Sequence, residues 1–231
     1  MIRCIIFDMA GTTIDEDNLV YKTMHQTLVN EEINVSLEEV LSFAAGKEKK
    51  QALYDVMDYL GLPCTVDDII RLYNDFNTRL IENYHNFQPS YCDGAKALFQ
   101  YLTERNIKVA FNTGYGRHIV DILINKVPIE IDTEVDLIVC ADDVSKQRPN
   151  PDMIFLICEQ LGIAPSETIK IGDSAVDIQE GHNAGVHLSI GITTGAHDRS
   201  KLQEAKADFV IDHLSEMIHI LEHEDSLDQS K

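Results

Sequence analysis

The sequence predicts an α/β fold, a doubly wound parallel sheet with an all-helical segment inserted after its first strand. Three observations carry that expectation. Short apolar runs of strand length alternate with segments of helical spacing. Residues 16–88 read as helix throughout, and polar residues of reactive type fall at the ends of the apolar runs.

Taken in order, the runs are IRCIIF at 2–7, IKVAFN at 107–112, DLIVCA at 136–141, TIKIGD at 168–173, VHLSIG at 186–191 and ADFVI at 207–211. Helical spacing between them covers 116–125, 151–161 and 175–183. Strands joined through helices build right-handed crossovers, so the sheet is expected to be parallel and covered on both faces. The insert carries LVYKTMHQTLVNE, EKKQALYDVMDYL and VDDIIRLYNDFNTRLIENY, and LGLPCTVDD breaks it with Thr65 or Asp67 placed to cap the next helix. The expected division is a core of 1–15 and 89–231 with a helical cap of 16–88. The polar tail EHEDSLDQSK is expected to fray.

Of the 231 residues, 44% are hydrophobic and 25% charged, an ordinary globular composition. Nineteen basic residues against thirty-nine acidic ones leave a net charge of −20. So acidic a surface repels nucleic acid and anionic membranes, and neither is expected as a partner. A phosphate site must then be a local exception built from a few cations or a metal. The five scattered cysteines form no C-x-x-C pair, which suits a reducing compartment rather than a disulfide framework or zinc site. The apolar run after Arg3 stops at Asp8, too short for a signal segment, and no run has membrane-spanning length, so a cytoplasmic location is expected.

Ligands of an open parallel sheet bind outside the carboxyl ends of its strands. There the sequence places Asp8 after the first run, Asn112, Thr113 and Gly114 after the second, SKQRPNP after the third, and Asp173 with Asp177 after the fourth. FDMAGTTID, NTGYGR, RPNPDMIF and IGDSAVDIQEGHNAG resemble, in order, the four motifs of the haloacid dehalogenase-like hydrolase superfamily. The helical insert stands where that superfamily carries a C1-type cap on its Rossmann-like core. D-x-A-G-T-T, ADDVSKQRPNPDMIF and TGAHDR bring the chain closer to the phosphonatase-like hydrolase branch, relatives of phosphonoacetaldehyde hydrolase.

The chemistry follows residue by residue. Asp8, on a rigid strand end, can attack phosphorus and form an aspartyl-phosphate. Gly11 lets the backbone approach a phosphoryl group, and the Thr12 and Thr13 region adds N–H and hydroxyl donors. Asp173 and Asp177 join Asp8 as hard oxygen ligands for Mg²⁺, Asp177 either binding the metal or only orienting the site. The resemblance adds the Ala10 carbonyl to the metal ligands and Tyr115 to the substrate-binding residues. Thr113 and the Gly114 N–H are expected to hold phosphate oxygens at a helix mouth. Arg148, with Lys146 as a lesser candidate, is expected to hold the transferring group in its fork.

Position 10 raises the central question. The superfamily's phosphatases place a general acid there, and alanine cannot serve. The main expectation is a hydrolase of another small phosphonate or phosphorylated metabolite, with an easily departing group or a cap residue (Tyr21, His25 or Lys49) in place of the acid. The alternative is phosphonoacetaldehyde hydrolysis, which the resemblance ties to a cap lysine that forms a Schiff base. Lys49, three residues after Gly46, has the matching spacing, and Lys47 and Lys50 would lower its pKa by repulsion. Ala45 and Ala52, where the branch has methionine and histidine, favour the first reading. Haloacid dehalogenation needs no metal and leaves Asp173 and Asp177 without a purpose. A non-catalytic phosphoryl-binding relative leaves Asp8 without one. Closure of the cap is expected about hinges at 15–17 and 87–91.

Overall fold

The apolar run that opens the chain is a strand buried on both faces. In the computed structural model, which describes residues 1–127, 129–130 and 133–228, Cys4, Ile5, Ile6 and Phe7 are all fully buried. This strand, β1 (Cys4–Phe7), is followed by a two-residue strand β2 (Ile14–Asp15) and four helices, α1 (Leu19–Asn30), α2 (Leu37–Ala44), α3 (Lys49–Tyr59) and α4 (Val66–Asn86). A second short strand, β3 (Ser90–Tyr91), pairs antiparallel with β2 and brings the two ends of the helical insert together. Helices and strands then alternate through α5 (Ala95–Glu104), β4 (Lys108–Thr113), α6 (Arg117–Lys126), β5 (Leu137–Cys140) and α7 (Asp152–Leu161). The chain finishes with β6 (Thr168–Gly172), α8 (Ala175–Ala184), β7 (Leu188–Ile192), α9 (Arg199–Glu204), β8 (Phe209–Ile211) and α10 (Glu216–Asp228).

The main sheet has the order β5-β4-β1-β6-β7-β8, and every pairing is parallel. β1 lies between β4 and β6, with Phe7 opposite Phe111 on one side and Ile171 on the other. Alternation along β1 divides the core. Ile5 and Phe7 pack with Val109, Phe111, Phe99 and Leu102 on one face. Cys4 and Ile6 pack with Ala110, Val139, Met153 and Ile157 on the other. Phe7 meets the edges of Phe99 and Phe111 at centroid distances of 5.4 and 6.4 Å. The chain winds from β1 through β4 to β5 on one side, then returns to β6, β7 and β8 on the other, so the switch point and its crevice lie at the carboxyl end of β1.

Helix starts follow their caps. Thr65, not Asp67, caps α4 through a capping box with Asp68, and Ser36 with Glu39 does the same for α2. α2 and α5 go beyond the helices expected from spacing alone. The polar tail is helical rather than frayed as far as Asp228; residues 229–231 lie outside the described residues. Among the described residues, no helix is long and apolar enough to cross a membrane.

Phe111 is fully buried at the centre of this aromatic cluster. Phe111→Ala is expected to lower the unfolding free energy by about 3–5 kcal/mol. Tyr54→Ala on the exposed cap face should change it by less than about 0.5 kcal/mol. Urea unfolding of both variants checks the contrast.

Candidate active site

The site forms because neighbouring strands end at the same level. Asp8 follows β1, Thr113 closes β4 and Asp173 follows β6. The turn 9–14 is tied back on itself, with the Thr13 hydroxyl bonded to the Asp8 and Met9 carbonyls at 3.0 and 3.2 Å. Gly11 has φ of +81°, and a Cβ there would overlap the Asp173 carboxylate. Thr13 is therefore occupied in shaping the turn, while the buried Thr12 hydroxyl has no hydrogen-bond partner among the described residues.

Arg148 lies at the centre, its side chain 1% exposed. Its Nη1 is 2.7 Å from Asp8 Oδ1 and 2.9 Å from Asp177 Oδ1, and its Nε is 3.0 Å from Glu180 Oε2. Nη2 donates to the carbonyl and side-chain oxygens of Asn112 at 2.7 and 2.6 Å. Asn112 in turn donates to Glu180 at 2.9 Å. The fork expected to be free for phosphate is engaged by the protein and orients Asp8. Lys146 is exposed.

The two aspartates of GDSAVD differ. Asp177 Oδ1 accepts from Lys170 at 2.8 Å, beside Arg148, and Oδ2 accepts from Ser174 Oγ at 2.5 Å. Burial alone would raise its pKa, but Arg148 and Lys170 hold it down to about 2. Both oxygens of Asp177 are thus engaged by protein partners. Asp173 is held by the Ala196 N–H at 2.6 Å, and Thr194 of the same loop bonds the Gly11 carbonyl at 2.6 Å. Burial, then the neighbouring Asp8 and Asp177, push Asp173 well above the usual carboxylate range. Burial and Asp177 also push Asp8 up, against Arg148 and Lys170. Among the described residues, no three His, Cys, Asp or Glu side chains form a ready metal cage. Asp8, Asp173 and Ala10 do line one cavity and offer only oxygen donors.

That cavity, of about 10 Å³, is also lined by Tyr21, Gly46, Lys49, Thr113, Gly114, Tyr115 and Arg148. It lies between the insert and the sheet. A Cβ on Gly114 would stand 3.0 Å from the Lys47 carbonyl, so the glycine lets the insert sit directly on the phosphate-loop candidate. Lys201 on α9 donates to Ser42 on α2 at 2.7 Å, a second point of attachment. Lys49 is 7% exposed, with Nζ bonded to the Lys47 carbonyl at 2.9 Å and lying 5.1 Å from the Tyr115 ring. Its pKa is lowered by burial, with Asp8 and Glu16 acting in the opposite direction. Repulsion from Lys47 and Lys50 is not the cause: Lys47 pairs with Asp55 and Lys50 covers the Tyr73 ring. His25 bonds the Val35 carbonyl at 3.0 Å within the insert and does not line the cavity. Tyr21 does, its hydroxyl accepting from the Gly46 N–H at 3.1 Å.

Three buried residues escaped the sequence reading. Glu180 lies three residues after Asp177 on α8, a spacing that puts both on one helix face. Lys170 is a lysine inside an otherwise apolar strand, a signal of a buried partner. Glu16, 2% exposed, had only the look of a linker residue. Burial pushes its carboxyl up to about 7, against hydrogen bonds from Tyr84 and Tyr115.

A buried, cation-held carboxylate under a helical cap, at the switch point of a parallel sheet, defines a capped α/β hydrolase. The chain belongs to the haloacid dehalogenase-like hydrolase family, whose model matches residues 5–192. It is 28% identical to phosphonoacetaldehyde hydrolase from Bacillus cereus, with 96% of each chain covered. It is 26% identical to pyrophosphatase PpaX from Oceanobacillus iheyensis, over 95% of this chain and 97% of that one. A solved hydrolase from Pseudomonas syringae shares the fold at a TM-score of 0.85 and 23% identity, covering 96% and 98% of the two chains. A phosphonoacetaldehyde hydrolase-like protein from Oleispira antarctica does so at 0.82 and 24%, covering 96% and 92%.

The position of Glu16 has a measurable consequence. Its folded-state pKa of about 7 lies above the ordinary 4.5, so the folded protein binds an extra proton between those values and loses stability as pH rises through them. The stability difference between the parent and Glu16→Gln should change by about 3 kcal/mol across this window, the parent being favoured at the acid end. Denaturant unfolding of both proteins at the two ends checks this, and a flat difference would contradict the burial.

Proposed function

We propose that the protein is a Mg²⁺-dependent, phosphonatase-like hydrolase that takes the phosphoryl group of a small phosphonate or phosphorylated metabolite onto Asp8 and passes it to water. The observation that carries this reading is the small cavity lined by both Asp8 and Lys49, with alanine at position 10. The relatives named for phosphonoacetaldehyde and pyrophosphate hydrolysis support the substrate class.

The donor set fits Mg²⁺. Two carboxyls and a carbonyl, completed by water and substrate phosphate, match its preference for few protein ligands and oxygen only. Asp8 and Asp173, both pushed up by burial and the repulsion of neighbouring carboxylates, are the groups a cation would return to the ionised state. When bound by Asp8, Asp173 and the Ala10 carbonyl, the metal would offset repulsion between the carboxylate and the phosphoryl oxygens. Thr113, the Gly114 N–H and Thr12 hold phosphoryl oxygens, and Arg148 keeps Asp8 aimed at phosphorus.

Within this class the position of Lys49 favours a phosphonate carrying a carbonyl. The neutral amine adds to the carbonyl and loses water to give an iminium. Asp8 attacks phosphorus, the C–P electron pair moves into an enamine, and no oxygen needs a proton from position 10. Protonation at carbon and hydrolysis return the amine and the aldehyde, and water releases phosphate from Asp8. Burial lowers the Lys49 pKa as this route requires. Ala45 and Ala52 favour a second reading, the same Asp8 chemistry on a phosphate ester with an easily departing group.

A cavity of about 10 Å³ holds about one water. Substrate entry therefore requires the cap, residues 16–88, to move, with the β2–β3 pair as the hinge.

Phosphate release from phosphonoacetaldehyde tests the reading. EDTA should abolish it and added Mg²⁺ restore it. Asp8→Asn should lower kcat by roughly 10⁴-fold or more. Lys49→Arg should remove it while leaving hydrolysis of an activated phosphate ester. Release that persists in Asp8→Asn would overturn the proposal.

A further inference from the structure

Behind the cavity wall lies a carboxyl that the chemistry above does not use. Glu16 follows β2 and precedes α1, at the hinge of the cap. Its Oε2 accepts from the Tyr84 hydroxyl near the end of α4 and from the Tyr115 hydroxyl at 3.0 Å, the two phenol oxygens being 3.2 Å apart. Oε1 lies 3.5 Å from the Val20 N–H. The groups facing it are thus Tyr84 from α4, Tyr115 from the loop after β4, the start of α1, and the charge of Lys49 from α3.

Burying a carboxyl is costly unless its contacts compensate, and here those contacts join linker, cap and core. The core partner matters most. Tyr115 lines the cavity, follows Gly114, and donates its N–H to Thr113 Oγ1 at 3.2 Å. Tyr84 belongs to the cap, so any swing about the β2–β3 hinge separates it from Tyr115. The assembly is complete only with the cap seated.

We infer that Glu16 is a positioning residue: with the cap closed it clamps Tyr84 to Tyr115 and so fixes the 113–115 loop, and the wall facing Lys49, in the geometry for phosphoryl transfer. Before closure the loop is held by the core alone, as through the Ala141 N–H on the Tyr115 carbonyl at 3.0 Å, and after it the Tyr115 side chain is fixed against the cap as well. Substrate binds before the clamp forms, so losing the clamp lowers kcat more than it changes KM.

The inference rests on the Asp8 reading of the site, so its test has one arm that needs no turnover. Acetyl phosphate is the probe for the other arm, because acetate departs without a proton and involves neither Lys49 nor position 10. Tyr84→Phe removes a hydroxyl that does not line the cavity, Glu16→Ala removes the acceptor, and Glu16→Gln keeps one. The expected result is a kcat lowered about tenfold in Tyr84→Phe and Glu16→Ala with KM within about twofold, and most of the rate recovered in Glu16→Gln. The double variant Tyr84→Phe/Glu16→Ala should be no slower than Glu16→Ala, as for residues acting as one unit. Hydrogen exchange should show the Tyr115 amide opening about tenfold faster in both single variants, with β4 unchanged. Parent-like kcat in folded variants, additive losses, no recovery with glutamine, or an unchanged Tyr115 amide would each overturn the clamp. A parent that leaves acetyl phosphate intact would count against the Asp8 reading instead, and the exchange arm would then decide the clamp alone.

Discussion

The buried guanidinium of Arg148 is the constraint on which the site depends. It joins the ends of two strands to one helix: Asp8 after β1, Asn112 in β4, and Asp177 and Glu180 on α8. Lys170 adds a second buried cation beside Asp177. A desolvated arrangement of this kind is a poor source of stability, yet removing one partner strands the others uncompensated. Its effect here is positional. Asp8 is held on one oxygen by a group whose two terminal nitrogens are both hydrogen-bonded and whose Nε lies against Glu180, so the carboxylate has little freedom to turn. Four carboxyls, Asp8, Asp173, Asp177 and Glu180, crowd around these two cations, and burial first, then the repulsion of neighbouring carboxylates, raises the pKa values of Asp8 and Asp173. In a protein of net charge −20, these residues are walled off from the acidic surface by burial.

The cap performs a different task. It brings one amine into the cavity and removes that amine from water, and this burial is the main cause of its lowered pKa, with Arg148 adding to it. An acid at position 10 would serve an oxygen leaving group. Alanine stands there instead, and a buried lysine from the cap lines the same cavity, the two features on which the proposed route through Lys49 rests.

How much of this was legible in the sequence depended on the range of the interaction. Asp8, Thr113 and Asp173 stand at strand ends, and alternation of apolar runs sufficed to place them. The helical insert was visible from its periodicity, although α2 escaped notice even with Ser36 and Glu39 forming its capping box. Glu16 and Lys170 were invisible for a physical reason. A carboxyl in a polar linker and a lysine in a strand look solvated until their partners arrive from elsewhere, and the tyrosines that bury Glu16 lie 68 and 99 residues away. Spacing also misattributed a cause at Lys49: the neighbouring lysines suggested repulsion, whereas the fold directs both elsewhere and burial does the work.

Intact-mass analysis of the protein incubated with phosphonoacetaldehyde and Mg²⁺ and quenched with borohydride tests the central claim most directly. The account predicts one reduced adduct, mapping to Lys49 and accompanied by phosphate release. Phosphate release with no adduct, or an adduct on another lysine, would contradict it.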